Sequence, residues 1–229
     1  MKLKVMMITV LAAAGVVLLG MMSWGQGGFR FSTVGENEIT LPRPNLKGQV
    51  SVEEAMAKRR SIRQFAEKDL TLAQVGQLAW AAQGITEQKR GLRTAPSAVA
   101  SYPLEIYMAK KDGLFRYIPQ GHKLMQLSKA DLRGALSEAA RGQESVKIAP
   151  LDIVIVEVKS RVPTGFAGKG ERFVNIEAGH VGENIHLQAV AMGLGSVTVG
   201  AADDALTAKA LNLPEGETPL YMIPVGYPK

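Results

Sequence analysis

The sequence predicts an α+β domain, a mixed sheet covered by helices. Three observations carry that expectation. Residues 153–158 form a near-continuous β-branched run, which suits a strand buried on both faces. Residues 173–192 are apolar around much of a helical circumference, and Gly193 stops them. Two short strand-like runs, 104–109 and 114–118, flank an Asp112-Gly113 turn and read as a hairpin. Helical and strand patterns alternate around these segments, as in a layered domain.

Size and composition agree. With 229 residues, 46% hydrophobic and 21% charged, the chain has room for one domain of roughly 150 residues plus an appendage. The absence of cysteine excludes disulfides, thiolate zinc sites, iron–sulfur clusters and a cysteine nucleophile. Three histidines leave little scope for a metal. The net charge is +6, two units of it from Lys2 and Lys4, too weak a balance to argue for nucleic acid.

The appendage is residues 1–25. Lys2 and Lys4 precede an uncharged stretch whose part 5–22 is almost wholly apolar, and Ser23-Trp24-Gly25 offers a small-x-small cleavage site. The stretch is long for a signal peptide and near the lower limit for a spanning helix, so a cleaved export signal and a retained membrane anchor both remain open. Either places the body outside the cytoplasm. Residues 26–48, with Gly27, Gly28, Gly35, Pro42 and Pro44, read as a linker, and 49–229 as the domain proper.

Within that domain Ser51-Val-Glu-Glu54 is a capping box opening a helix that runs to about residue 60, and Thr71-Leu-Ala-Gln74 opens a second that Gly84 ends. The hairpin follows, then a helix capped by Ser128 and running through residue 140. After the strand at 153–158 come a glycine-rich loop at 164–170 and the long helix. A short strand at 196–199, a helix from Asp203 to about residue 211 and a closing strand at 221–225 complete the order.

Four constellations could carry chemistry. Arg59, Arg60, Ser61 and Arg63 cluster where a helix gives way to extended chain. Guanidinium donors match phosphate oxygens bidentately, so the cluster is an anion site or a solvated basic face. Gly193-Leu-Gly195 with Gly200 follows a helix and opens a strand, the reverse of a dinucleotide loop, and reads as a helix stop. Glu177, His180, Glu183 and His186 fall at about 0°, 300°, 240° and 180° around one helix, so they cannot share a metal, and structural hydrogen bonding is expected of both histidines. The stretch 94–100, Thr-Ala-Pro-Ser-Ala-Val-Ala, is an ordinary loop or one whose small side chains expose amides to a flat ligand.

Seven segments in this order carry a resemblance: Arg-Arg-Ser-Ile-Arg-Gln-Phe (59–65), Ala-Trp-Ala-Ala-Gln-Gly-Ile-Thr (79–86), Arg-Thr-Ala-Pro-Ser-Ala (93–98), Tyr-Pro-Leu-Glu-Ile-Tyr (102–107), Glu-Ala-Gly-His-Val-Gly-Glu-Asn (177–184), Gly-Leu-Gly-Ser-Val-Thr-Val-Gly (193–200) and Pro-Leu-Tyr-Met-Ile-Pro-Val-Gly (219–226). Over residues 52–228 the chain resembles the nitroreductase superfamily of flavin mononucleotide (FMN) oxidoreductases, in particular the SagB-type azoline dehydrogenases of thiazole/oxazole peptide maturation.

The resemblance implies a three-layer α/β/α fold with a mixed, mostly antiparallel sheet, an obligate homodimer, and one FMN at each of two interface sites. It implies that Arg59, Arg60, Ser61 and Arg63 hold the phosphate and ribityl end, with Lys229 the candidate for a C-terminal basic partner. Pro96, Ser97 and Ala98 would approach the ring from the partner subunit, Gln143 would read the pyrimidine edge, and Thr198, Val199, Gly200 and Ala201 would run past the reactive N5. Two features depart from the relatives. Gly165-Phe166 stands where azoline-oxidising enzymes often carry a Lys-Tyr pair, and an exported protein meets no pool of nicotinamide cofactor. The function expected is hydride transfer through flavin N5 on a small-molecule or peptide substrate. The alternatives are a non-catalytic flavin- or peptide-binding module at the membrane and an azoline dehydrogenase.

Overall fold

The computed structural model describes residues 37–229. The expected signal or anchor, 1–25, and the first part of the expected linker, 26–36, lie outside the described residues.

The elements in chain order are β1 (Glu38–Thr40), α1 (Val52–Lys58), α2 (Leu72–Gln83), β2 (Ile85–Glu87), β3 (Leu92–Arg93), β4 (Leu104–Lys110), β5 (Gly113–Ile118), β6 (Lys123–Ser128), α3 (Arg133–Ala139), α4 (Glu144–Ile148), β7 (Leu151–Val158), α5 (Gly170–Ala191), β8 (Gly195–Ser196), α6 (Asp204–Leu211) and β9 (Glu217–Gly226). Seven strands form one sheet in the order β1-β6-β5-β4-β7-β9-β8, and β2 and β3 form a small separate ribbon. Every pairing between named strands is antiparallel. The parallel component of the mixed sheet is an isolated bridge between Ser61 and Ser196.

The β-branched run is the sheet's centre. Leu151, Ile153 and Ile155 of β7 point into the cluster shared with α2 and α5, while Val154 and Val156 point into the cluster shared with α3, α4 and α6. Burying each such side chain contributes roughly 1.5–3 kcal/mol, so a strand apolar on both faces is stable only between two layers of helices. That arrangement is the α/β/α sandwich. On α5 the residues Val174, Ala178, Val181, Ile185 and Ala189 recur at helical spacing and make the buried stripe.

Local signals act as expected at several ends. Ser51 Oγ accepts the Glu54 N–H at 3.1 Å, although Glu54 turns its carboxylate to Lys58 and α1 ends at Lys58, short of residue 60. Thr71 and Gln74 form a complete capping box. Gly84 stops α2 by close approach, since a Cβ there would lie 2.1 Å from Trp80 Cδ1. Gly193, at φ +69, ends α5 in the left-handed conformation.

Three expectations need correction. Residues 38–45 are structured parts of the domain. β1 pairs with β6, Leu41 is buried, and the Asn45 N–H donates to Gln77 Oε1 at 2.7 Å. A three-residue edge strand is too short to show periodicity. Residues 123–128, expected to lead directly into a helix, form β6, and Ser128 caps a turn by accepting the Ala130 N–H at 3.1 Å. The helix then starts only at Arg133, and α4 follows as a separate short helix after the left-handed Arg141 and Gly142.

Candidate functional site

Past α1 the chain turns extended at Arg59 and is stitched to the sheet on two sides. The Ile62 N–H donates to Ser196 O at 3.0 Å, the Ala66 N–H to Tyr227 O at 2.8 Å, and the Lys229 N–H to Gln64 O at 3.2 Å. Ile62 and Phe65 press on the sheet. Both land on glycine: a Cβ on Gly195 would sit 2.7 Å from Ile62 Cβ, and one on Gly226 3.0 Å from Phe65. Beneath this seam His186 Nδ1 of α5 lies 2.6 Å from Ser196 Oγ, both residues buried. Burial lowers the His186 pKa, the Arg59 charge lowers it further, and Glu183 opposes them. His180 lies exposed on the same helix.

The seam opens onto a cavity of about 1210 Å³ lined by Arg63, Gln143 and Lys229, three residues from three distant stretches of chain. It exceeds the roughly 300–1,000 Å³ of an ordinary small-molecule pocket. Lys68, Lys111, Arg133 and Lys147 also line it, against Glu67, Asp69 and Glu144, and Phe65, Ile148 and Pro150 supply apolar surface. Cations outnumber acids in this lining, which favours an anion over a cation there. Gln143 precedes the first turn of α4 without spending its side chain on a cap, and its carbonyl accepts the Ser137 hydroxyl at 2.9 Å.

Arg133 is already engaged. It donates to Ala149 O at 3.0 Å and grips Asp131 through Nε and Nη2 at 2.9 and 2.6 Å. That hydrogen-bonded grip holds the Asp131 carboxyl below its usual range. On β7, Asp152 is buried with neither carboxylate oxygen hydrogen-bonded. Desolvation pushes its pKa well up, Arg133 only partly opposing.

The other expected site residues stand elsewhere in a single chain. Arg59, Arg60 and Ser61 adjoin the cavity segment without lining the cavity, and the Arg60 guanidinium folds back to donate to Ala57 O and Arg59 O at 3.2 and 2.6 Å. Thr198–Ala201 follow β8 on the sheet side, where Val199 exchanges backbone hydrogen bonds with Met222 at 2.8 and 3.1 Å and Gly200 lies against the Tyr221 ring. Pro96, Ser97 and Ala98 do not line the cavity, and Ser97 lies beside Glu177 of α5. The nine helical steps from Glu177 to His186 span about 14 Å, so this loop is remote from the Arg59–Arg63 seam of its own chain. Lys68, Lys111, Lys147, Arg133 and Asp152 were not singled out in the sequence. Each comes from a different element and carries no local pattern.

With this geometry in hand, the comparisons with known proteins decide the family. The sequence pattern of the nitroreductase family matches residues 56–227. The chain belongs to the nitroreductase family. It is 36% identical over 195 residues to a Methanocaldococcus jannaschii protein that carries a nitroreductase name, covering 82% of this chain and 96% of that protein. A crystal structure from Ralstonia eutropha, also named as a nitroreductase, superposes with a TM-score of 0.77 at 33% identity over 86% of this chain and 92% of that one. The NADPH:FMN oxidoreductase of Vibrio harveyi, solved with NAD+, shares the fold with a TM-score of 0.59 at 21% identity, over 78% of this chain and 69% of that one. This nitroreductase-family chain is therefore an oxidoreductase, with the α+β architecture of its relatives.

Proposed function

We propose that this nitroreductase-family enzyme is FMN-dependent, transferring hydride between a donor and a small-molecule or peptide acceptor. The observation that carries the reading is the convergence of Arg63, Gln143 and Lys229 on one large, cation-rich cavity. The residues fit the group: the basic side chains suit a phosphate, the Gln143 carboxamide can both donate and accept at a heterocycle edge, and Phe65, Ile148 and Pro150 offer apolar surface to a flat ring. A bound flavin supplies hydride exchange at N5, and the protein supplies binding and orientation. Arg63 and Lys229 then meet the phosphate end at the cavity, and Arg59, Arg60 and Ser61, which adjoin the cavity without lining it, would have to turn towards that end to share in holding it.

The enzyme works as a homodimer in this reading. Leu46 and Val52 are 74% and 59% exposed beside a groove of about 720 Å³ that Trp80, Leu187 and Met192 also line, an apolar patch of the kind that marks an interface. A second copy seated there brings its own Pro96–Ala98 loop towards the first chain's cavity, and Thr198–Ala201 border the ring. Export through residues 1–25, with membrane attachment through 5–22 if they are retained, completes the proposal. Among the described residues no helix is long and apolar enough to cross a membrane, and 5–22 lie outside them. The likeness to azoline dehydrogenases extends to architecture more than chemistry, because Phe166 packs edge-on against Phe173 at 5.4 Å and offers no titratable group where those enzymes have Lys-Tyr.

The test is reconstitution with FMN followed by desalting and an absorption spectrum. Retention near one flavin per subunit, bleached by dithionite, supports the reading, and Arg59→Ala with Arg63→Ala should release the flavin from a folded dimer. A colourless wild-type protein would overturn it.

A further inference from the structure

The loop from Pro96 to Tyr102 holds Val99, Ala100 and Tyr102 at φ +49, +53 and +46. Left-handed backbone crowds a Cβ against the carbonyl, most severely for a β-branched residue. Such strain persists only where the surroundings over-determine it. Val99, 71% exposed, gains little packing in its own chain to offset that cost.

What holds the loop is a polar brace behind it. The Tyr102 N–H donates to Ser97 Oγ at 2.9 Å, closing the turn. The Arg93 guanidinium lies 4.4 Å from the Tyr102 ring centroid and donates to Gln83 Oε1 at 2.9 Å, while the Arg93 backbone N–H donates to the Tyr102 hydroxyl at 3.2 Å. Gln83 Nε2 donates onward to Glu177 Oε1 at 3.3 Å. Glu177, buried on α5, lies beside Ser97 and ends this chain of hydrogen bonds from behind the loop.

We propose that Glu177 and Arg93 are positioning residues that hold the strained 96–102 loop in the shape it presents to the flavin site of a second copy. This rests on the FMN-dependent dimer reading above. Glu177 acts through Gln83, which it holds against Arg93, and Arg93 acts through the Tyr102 ring. A structural role alone would have no reason to maintain three left-handed residues with Val99 turned to solvent, because a relaxed loop would serve the core equally well.

The experiment uses the full chain reconstituted with FMN. Glu177→Met, Arg93→Met and their double variant are compared by amide hydrogen exchange over residues 97–102, by flavin content, and by the rate at which menadione reoxidises the dithionite-reduced protein. Each variant should raise loop exchange about tenfold with α5 protection and flavin content unchanged. Reoxidation should slow by about tenfold or more, as misplaced positioning groups do. The double variant should be no worse than Arg93→Met alone. Unchanged loop exchange overturns the brace. Raised exchange with an unchanged reoxidation rate overturns the positioning role while the FMN reading stands, and additive losses in the double variant overturn action through the shared Gln83. Wild-type protein that retains no FMN overturns the function reading itself and the loop's role with it.

Discussion

Replacing Gly195 by alanine tests how the Arg59–Arg63 segment is seated. The added Cβ would lie 2.7 Å from Ile62 Cβ and 2.8 Å from both Cγ1 and Cγ2, against an ordinary carbon separation of about 3.5–4.0 Å. Ile62 is β-branched and stiff at χ1, and its Cβ is fixed to the backbone, so rotamer change cannot relieve the overlap. The segment must retreat by about 1 Å, stretching the 3.0 Å hydrogen bond from the Ile62 N–H to Ser196 O. Overpacking of this kind costs about 1–3 kcal/mol, or about 2–12 °C in melting temperature for a domain of this size. Urea unfolding followed by circular dichroism reads the stability, and FMN retention after desalting reads the site. Because the seam carries Arg63, flavin should be lost at denaturant concentrations where the fold survives. Ile62→Ala in the Gly195→Ala background should restore part of both, with a coupling of about 0.5–3 kcal/mol. A Gly195→Ala protein within about 0.5 kcal/mol of wild type and fully loaded with flavin would refute the reasoning.

Ser196→Ala strips the buried His186 Nδ1 of its 2.6 Å partner and should cost about 1–3 kcal/mol, read as a shift in the urea midpoint. Because the folded protein depresses the His186 pKa, stability should also fall as pH drops below about 6.5, and His186→Gln should flatten that limb of a melting-temperature profile. Burial raises Asp152 well above the usual carboxyl range. The folded chain thus keeps a proton that the unfolded chain releases, and stability should decline as pH rises beyond about 4. Asp152→Asn should flatten the decline above about pH 4, and an unchanged slope there would count against the assignment. Glu157 is raised to about 7 by burial and by the neighbouring Glu171. Its contribution should be lost between about pH 4.5 and 7, so Glu157→Gln should flatten that interval in thermal melts taken at half-unit pH steps.

Local chemistry made much of the fold legible. The Thr71 capping box, the hairpin at Asp112-Gly113, the run in β7 and the glycine after α5 each act through contacts within a few residues, and each appears where the sequence puts it. β6 and α4 escaped because their signals compete. Ser128 can cap a helix or a turn, and only the pairing of β6 with β5 and β1 selects the turn. β1 escaped because three residues carry no period. At the site, Arg63 announces itself through its neighbours Arg59 and Arg60, whereas Arg133, Lys111 and Lys147 are isolated cations whose meaning depends on what lies opposite.

By itself the sequence determined the layered α+β class, the family likeness and the basic segment that borders the cavity, because hydrophobic period, capping and ordered motifs are written along the chain. Only the tertiary structure decided that Arg63, Gln143 and Lys229 share one cavity while Pro96–Ala98 stand away from it. It also left Asp152 buried without a partner and set Glu177 behind Ser97. Those relations join residues tens to more than a hundred positions apart, and packing of the sheet and helices brings them together.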